Sequence, residues 1–191
     1  MPPYDPEKHH RRSIRLPDYD YSDAGAYFIT LCARNHGCLF GTVENGAVRL
    51  TALGEIVRDE WLKTPAIRPR VFPDLFVVMP NHFHAIFFLA PGLKDHARKC
   101  RPHPILVKYG HLRPKGPKRG SVGAIVGQLK GAISRAARKA GVAPVGSLWQ
   151  RDLYEHVIRN DRDLDARRHY VQNNPTRWTE DEYYRKGIEG V

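Results

Sequence analysis

The stretch VVMPNHFHAIFFL, Val77 to Leu89, places two histidines one residue apart at the start of an apolar run. Successive side chains of a β-strand point to opposite faces, so His82 and His84 share a face and lie about 7 Å apart along the backbone. The same face continues with the apolar residues Ile86 and Phe88. The pattern therefore predicts a strand that carries a polar site at the rim of the core. Taken alone, the motif also fits two hydrogen-bonded histidines with a structural role.

The segments around this stretch predict an antiparallel sheet. DLFVVM (74–79) and HFHAIFFL (82–89) are two β-rich runs, and the Pro80-Asn81 dipeptide between them favours a hairpin. Further strands are predicted from Tyr27 to Ala33, on both sides of the Asn45-Gly46 turn, and within residues 147–158.

Three other segments have the periodicity of amphipathic helices. The first begins at Thr51, the second near Ser121, and the third runs from about Asp161 until Pro175 ends it. The second helix has glycine at every fourth position from Gly123 to Gly131, which predicts the close approach of another backbone, either that of the sheet or that of DNA. Apart from the early hairpin around Asn45-Gly46, the order is strand, helix, strand, strand, helix, strand, helix. This order is typical of an α+β, ferredoxin-like fold, in which helices cover an antiparallel sheet.

The charge of the chain predicts a polyanionic partner. Lys and Arg number 31 against 20 Asp and Glu, and the formal net charge is +11. Nine of the Lys and Arg residues lie in the segment 91–120, beside a single acid, Asp95. This concentration favours a nucleic-acid contact, although a solvated insertion would have the same composition.

The chain is predicted to form one domain with appendages. Residues 1–24 are predicted to be an extended N-terminal arm or a disordered tail. Residues 25–180 form the domain, with the basic insertion 91–120, and residues 181–191 form a C-terminal tail. The three cysteines have no paired spacing, which favours a reducing, cytoplasmic setting over a disulfide framework. No apolar run approaches the ~18 residues of a membrane span, so no membrane partner is expected.

A second polar cluster lies on the predicted third helix, in RRHYVQNNPTRW (167–178). Tyr170 and Asn174 are four residues apart and share a helix face. If this helix crosses the sheet over His82 and His84, the Asn174 carboxamide oxygen completes a three-ligand site with open positions. Two imidazoles and oxygen ligands suit Mg²⁺ or Mn²⁺ better than a structural zinc ion, which is closed and four-coordinate. Taken singly, Tyr170 also fits a packed helix tyrosine and Asn174 a helix cap.

Such a site predicts phosphoryl transfer. The cation would polarise a non-bridging phosphate oxygen, and the Tyr170 phenol would attack in line, which gives a 5′-phosphotyrosine and a free 3′-hydroxyl. Because this linkage conserves phosphodiester energy, the hydroxyl of another strand could reverse the step and join new ends without ATP. Tyr154 and His156, which share a strand face, are weaker candidates for nucleophile and ligand. Trp149 and Trp178 are candidates for stacking on bases or for the core.

The chain resembles the REP-associated tyrosine transposases, a branch of the IS-two-hundred-like, single-tyrosine HUH transposases, in HHRRSIRLPDYDYSDAGAYFIT, CLFG, VVMPNHFHAIFFL, LWQRDLYEHVIRN and YVQNNPTRW. The resemblance extends over most of the chain and fails mainly across the basic insertion. It implies the HUH endonuclease fold, with His82 and His84 as metal ligands, Tyr170 as the nucleophile and Asn174 as the third ligand.

The resemblance also implies a cofactor and a substrate. The cofactor is a divalent cation, Mg²⁺ or Mn²⁺, and the substrate is single-stranded DNA with hairpins formed by palindromic repeats, which the enzyme cleaves and rejoins. Family members include monomers and homodimers, so both states stay open for this chain. The alternative function is a non-catalytic, domesticated DNA-binding regulator of repeat elements. The cations predicted to contact DNA are Arg11, Arg12, Arg15, Lys115, Lys118, Arg119, Lys130, Arg135 and Arg138.

Overall fold

The computed structural model of the chain describes residues 15–92, 117–151 and 153–185. Its helices and strands are, in chain order, β1 Gly25–Cys32, β2 Gly41–Glu44, β3 Ala47–Leu50, α1 Ala52–Leu62, α2 Thr64–Ile67, β4 Val71–Val78, β5 His82–Leu89, α3 Val122–Lys139, β6 Tyr154–Ile158 and α4 Asp161–Asn173. Short 3-10 helices are found at Arg34–His36 and Trp178–Glu180. None of the helices in these ranges combines the length and the apolarity needed to cross a bilayer.

Four strands form one antiparallel sheet in the order β4-β5-β1-β6. β1 is central, and its Thr30 lies opposite His84 of β5 on one side and opposite Tyr154 of β6 on the other. The predicted ferredoxin-like α+β order is therefore confirmed. β2 and β3 form a separate hairpin, in which Asn45 and Gly46 both have positive φ, as a type I′ turn requires.

The two faces of the sheet are covered by different helices. On one face, α1 and α3 bury a large apolar cluster that includes Phe83 and Phe87 of β5. On the other face, α4 packs its buried Val171 into a smaller cluster with Ile86. The histidines share this second face, because side chains alternate along β5. The alternation therefore separates the main core from the candidate site.

Hydrogen bonds hold α4 at its start and in its middle. The Asn160 side chain accepts a hydrogen bond from the backbone N–H of Asp163 at 2.9 Å, which caps the first turn. Arg168 Nε and Nη2 donate to the two carboxylate oxygens of Asp74 at 2.7 and 3.1 Å. Asp74 lies in the irregular part of β4, where a bulge can redirect a side chain. The orientation of α4 across the sheet is thus fixed by contacts outside the candidate site.

Within the described residues, no other protein segment makes the close backbone approach predicted along the glycines of α3, and the alternative of a DNA backbone stays a prediction. A Cβ atom at Gly127 would meet nothing within 4 Å, and one at Gly131 would meet only the Arg135 guanidinium. The close approach occurs instead in α1, where a Cβ atom at Gly54 would lie 1.9 Å from the Phe40 carbonyl oxygen.

Gly54→Ala is therefore expected to lower the free energy of unfolding by about 2 kcal/mol or more, because the Phe40 backbone must move. Gly127→Ala is the matched helical control and should raise it by roughly 0.5–1 kcal/mol, since alanine is the better helix former. Urea unfolding followed by circular dichroism measures both. Equal shifts for the two variants would contradict the close contact at Gly54.

Candidate metal centre and nucleophile

The two histidines lie deeper than the predicted rim position. His82 is 0% exposed and His84 is 1% exposed, and their ring centroids are 4.4 Å apart. Burial, with a smaller effect from His36, lowers the pKa of His82 to about 3. Burial and the neighbouring His82 lower the pKa of His84 well below its ordinary value. Both imidazoles are therefore neutral near pH 7, and each keeps one nitrogen lone pair.

Asn81 determines which nitrogen of His82 carries the proton. Asn81 Nδ2 donates to the carbonyl oxygens of His36 at 3.1 Å and Tyr183 at 2.8 Å. Its Oδ1 is therefore the atom that lies 2.8 Å from His82 Nδ1. Because a carboxamide oxygen only accepts, His82 Nδ1 must donate, and the lone pair is left on Nε2. That Nε2 atom is buried and makes no hydrogen bond within the described residues.

Thr30 orients the second ring from the neighbouring strand. The Thr30 Oγ1 atom lies 2.8 Å from His84 Nδ1, and both residues are buried. This contact leaves His84 Nε2 to face the same side as His82 Nε2. Partners of this kind orient the imidazoles of many metal sites and fix their tautomers.

Asn174 supplies a second unpaired acceptor. It caps the C-terminal end of α4 and is buried. Its Nδ2 donates to Asp181 Oδ2 at 2.7 Å, which identifies the remaining atom as Oδ1. Asn174 Oδ1 is buried and has no hydrogen-bond partner within the described residues. The Asn174 carboxamide lies close to His82 and raises the pKa of His82, against the larger effect of burial. An unpaired buried acceptor costs roughly 1–3 kcal/mol, and a cation beside His82 Nε2 and Asn174 Oδ1 would satisfy both.

Asp181 is a site residue that the sequence did not predict. Its carboxylate and the nitrogens of His82 and His84 form a group whose ligand atoms all lie within 4.8 Å of one another, and this group could hold a metal ion. The Tyr183 ring also lies over His82, with centroids 4.7 Å apart. The segment predicted as a C-terminal tail, from residue 181, therefore begins with residues that contact the histidines. Their position depends on the turn after α4, which has no spacing signal in the sequence.

Tyr170 lies beside this group. Its hydroxyl is 3.4 Å from His84 Nε2 and 3.3 Å from Asp181 Oδ2. Burial and the charges of Asp181 and Glu182 raise the pKa of Tyr170, so the phenol is protonated near pH 7 and donates to Asp181. α4 thus brings Tyr170 and Asn174 to the histidines, which is the juxtaposition expected from the sequence, while their chemical roles stay predictions.

A cavity of about 550 Å³ opens next to Tyr170, between α4 and the strands β1 and β6. Of the four weaker candidates from the sequence, Tyr154 is the one that lines this cavity. His156 Nε2 is bonded to Asp163 Oδ2 at 2.7 Å. Trp149 and Trp178 are buried, so both belong to the core.

The cations predicted to contact DNA fall into three groups. Outside the described residues lie Arg11, Arg12 and Lys115. Those with protein partners are Arg15 with Glu155, Lys118 with Asp20, and Lys130 with the Gln150 carbonyl oxygen. Exposed are Arg119, Arg135 and Arg138. The last two lie on α3, across the sheet from Tyr170, whereas Arg167 and Arg177, which were not predicted, line the cavity itself.

The buried neutral imidazoles predict a stability that depends on pH in the metal-free protein. The unfolded chain protonates both rings near pH 6.5, whereas folded His82 stays neutral down to about pH 3. The unfolded state therefore binds more protons in this window. The free energy of unfolding should fall as the pH falls below about 6.5, by up to about 1.4 kcal/mol per pH unit for each histidine.

Urea unfolding in EDTA at pH 7.5 and pH 5.0 measures this loss above the range in which carboxylates titrate. The His82→Gln variant is the control, since glutamine cannot be protonated, and its loss of stability between the two pH values should be smaller. A parent protein that is equally stable at both values would contradict the neutral, buried state of the rings.

No protein-family model matches the chain. An uncharacterized protein of Haemophilus influenzae is 39% identical over 176 residues, which cover 92% of this chain and 94% of that protein. Similarity of this extent over nearly the whole of both chains shows membership of one family.

Two solved structures align with the chain, and the first of them supports the fold. The structure of a REP-associated tyrosine transposase bound to a REP hairpin aligns with a TM-score of 0.55 at 21% identity, over 87% of this chain and 74% of that chain. A putative transposase of Deinococcus radiodurans R1 aligns with a TM-score of 0.42 at 14% identity, over 84% of this chain and 98% of that chain. The first alignment confirms, for the fold, the resemblance expected from the sequence. The chain belongs to the family of the Haemophilus influenzae protein and has the fold of a REP-associated tyrosine transposase.

Proposed function

We propose that this protein is a metal-dependent strand transferase that cleaves and rejoins single-stranded DNA at hairpin elements through a 5′-phosphotyrosine. The observation that carries the proposal is the contact of the Tyr170 hydroxyl with His84 Nε2 and Asp181 Oδ2. A histidine pair with only a structural role would not require unpaired hydrogen-bond acceptors. Here His82 Nε2 and Asn174 Oδ1 are such acceptors, and they are buried next to the exposed Tyr170. The hairpin substrate is taken from the structural relative, which is bound to a REP hairpin.

In this proposal His82, His84 and Asn174 hold the cation, and Asp181 lies beside it. Support comes from the donor set, because neutral imidazole nitrogens with carboxamide and carboxylate oxygens suit Mg²⁺ or Mn²⁺. The unpaired atoms His82 Nε2 and Asn174 Oδ1 are the acceptors that such an ion would satisfy. When bound, the ion would polarise a non-bridging oxygen of the attacked phosphate and offset its charge.

Tyr170 is the proposed nucleophile. Its oxygen forms a bond to phosphorus as the bond from phosphorus to the 3′-oxygen breaks, and the 3′-oxygen leaves as a hydroxyl with a proton from solvent. The phenol proton passes to Asp181 Oδ2, the carboxylate oxygen that the phenol already faces. Because the pKa of Tyr170 is raised in the free protein, we expect proton transfer and attack to be concerted. The 3′-hydroxyl of another strand reverses the step and restores a phosphodiester bond.

One chain provides every group in this scheme. His82 and His84 come from β5, Tyr170 and Asn174 from α4 and its cap, and Asp181 from the segment that follows. The proposed centre therefore does not need a residue from a second subunit. The net charge of +11 supports a polyanionic substrate. The wall of the cavity contains both Arg167 and Arg177 and the acids Glu180, Asp181 and Glu182.

The first test mixes the protein, Mn²⁺ or Mg²⁺ and labelled hairpin oligonucleotides, and looks for a protein–DNA adduct that survives denaturation. Tyr170→Phe should lose the adduct completely, because no oxygen remains to attack phosphorus. Tyr184→Phe is the matched control and should keep it, since its ring packs on Trp178 away from the phenol.

An adduct that persists in Tyr170→Phe would remove Tyr170 from the role of nucleophile. Tight hairpin binding without any adduct, with both cations tested, would contradict strand transfer. That result would favour the alternative of a non-catalytic regulator of repeat elements.

The second test measures Mn²⁺ binding without DNA, by titration calorimetry or electron paramagnetic resonance. Asn174→Ala should weaken Mn²⁺ binding by about tenfold or more, because the variant loses an oxygen ligand. Asn173→Ala is the control, since the Asn173 amide donates to the His169 carbonyl oxygen and Asn173 is not a proposed ligand, so its affinity should match the parent. Equal affinities for the parent and Asn174→Ala would contradict the ligand role of Asn174.

A further inference from the structure

We infer that the cavity beside Tyr170 binds one unpaired nucleobase next to the attacked phosphate, with the ring of Tyr154 as its stacking platform. The inference rests on the proposed function, because it takes single-stranded DNA as the substrate. It adds a residue and a contact that the strand-transfer chemistry itself does not require.

The register of the sheet places Tyr154 in one row with His84 of the centre. His84, Thr30 and Tyr154 are paired in turn across β5, β1 and β6, so they form one row on one face of the sheet. Two strand spacings separate Tyr154 from His84, which is about 10 Å. Thr30 between them is small, and it lines the same cavity as the two tyrosines Tyr154 and Tyr170.

The Tyr154 ring is exposed on a surface that is otherwise well packed. Tyr154 is 38% exposed, although it points to the face covered by α4. Its ring contacts Phe28 edge to face, with centroids 6.1 Å apart, and Phe28 makes the same kind of contact with Tyr170 at 6.0 Å. The buried Phe28 ring therefore lies between two exposed aromatic rings, those of Tyr170 and Tyr154. Within the described residues the Tyr154 hydroxyl has no hydrogen-bond partner, so nothing in the fold requires it to be a tyrosine.

Polar groups surround the aromatic floor. The guanidinium of Arg167 lies over Phe28 at 5.4 Å and lines the cavity together with Asn173 and His169. Arg167 Nε donates to Asp163 Oδ1 at 3.4 Å, which leaves the terminal nitrogens of the guanidinium as donors for the edge of a base. Arg177 lines the cavity as well, near the turn after α4.

A nucleobase fits this set of groups better than a phosphate alone or an apolar ligand. A phosphate alone would make no use of the aromatic rings of Phe28 and Tyr154, and an apolar ligand would make no use of the polar side chains in the same wall. The volume of about 550 Å³ is within the range of small-molecule sites, roughly 300–1,000 Å³. Stacking on an aromatic ring is tolerant of sequence, because every base has a π face. The site would therefore orient the strand for in-line attack without selecting one base strongly.

The test compares the affinities of full-length variants for a fluorescent ten-residue oligothymidylate, by anisotropy and without divalent cation. Every protein carries Tyr170→Phe, so no cleavage interferes. Tyr154→Ala should weaken binding by about tenfold, whereas Tyr154→Phe should stay within twofold of the Tyr170→Phe parent, because the ring and not the hydroxyl makes the contact. Phe72→Ala is the matched control, since Phe72 is an exposed aromatic residue on β4, at the opposite edge of the sheet. Its affinity should not change.

Photocrosslinking to an oligonucleotide of 5-iodo-deoxyuridine gives a second readout that does not depend on the stability of a variant. Mass spectrometry should find the crosslink in the peptide that contains Tyr154, and double-stranded DNA should not give it. Crosslinks confined to other peptides, or a Tyr154→Ala affinity within twofold of the parent, would overturn the inference, as would failure of the parent to bind the oligonucleotide.

These outcomes separate the inference from the proposed function. If Tyr154→Ala weakens binding while the unmodified protein forms no adduct through Tyr170, the base site stands and strand transfer fails. If the adduct forms and Tyr154→Ala has no effect on binding, strand transfer stands and the base site fails.

Discussion

The hydrogen bond between His82 Nδ1 and Asn81 Oδ1 determines what the centre of this protein can bind. It fixes the proton on Nδ1 and turns the lone pair of Nε2 toward Asn174 and Asp181. Asn81 can do this because its amide group donates to two carbonyl oxygens, those of His36 and Tyr183. The tautomer of one buried ring is thus tied to the packing of two segments that are far apart in the chain. A change in either segment would free the amide to rotate and would offer His82 a donor in place of an acceptor.

The alternation of side chains along β5 allows a polar centre to exist inside a small protein. Phe83 and Phe87 complete the large core under α1 and α3, so the stability of the sheet depends mainly on the face opposite the histidines. The second face has only a small apolar cluster around Ile86 and Val171. α4 therefore relies on the Arg168–Asp74 ion pair and its N-terminal cap as well as on burial. The face of the sheet that carries the histidines can therefore contain unpaired hydrogen-bond acceptors, because packing on the opposite face offsets the free energy that they cost.

Local patterns predicted the parts of the site that lie on regular elements. Period-two alternation placed His82 and His84 on one face, and the spacing of four placed Tyr170 and Asn174 on one side of α4. The depth of the histidines was missed, because burial depends on what covers the strand. Asp181 was missed because its position depends on the turns after α4. The glycines of α3 make no close contact with the sheet for a related reason, since a small residue permits a close contact without requiring one, and a Cβ atom at Gly127 would meet no protein atom within 4 Å.

In the proposed function, the protein ligands do not balance the charge of the cation, and the substrate supplies the remaining negative charge. The proposed ligands His82, His84 and Asn174 are all neutral, so a divalent cation would be balanced within the centre by the Asp181 carboxylate alone. In the proposed function, a phosphate group of DNA would bring the second negative charge, within reach of the Tyr170 phenol. In the proposed function, cation and DNA would therefore strengthen the binding of each other by the same factor, as linkage requires. The same charge balance argues against a permanent structural ion, which would need its negative ligands from the protein itself.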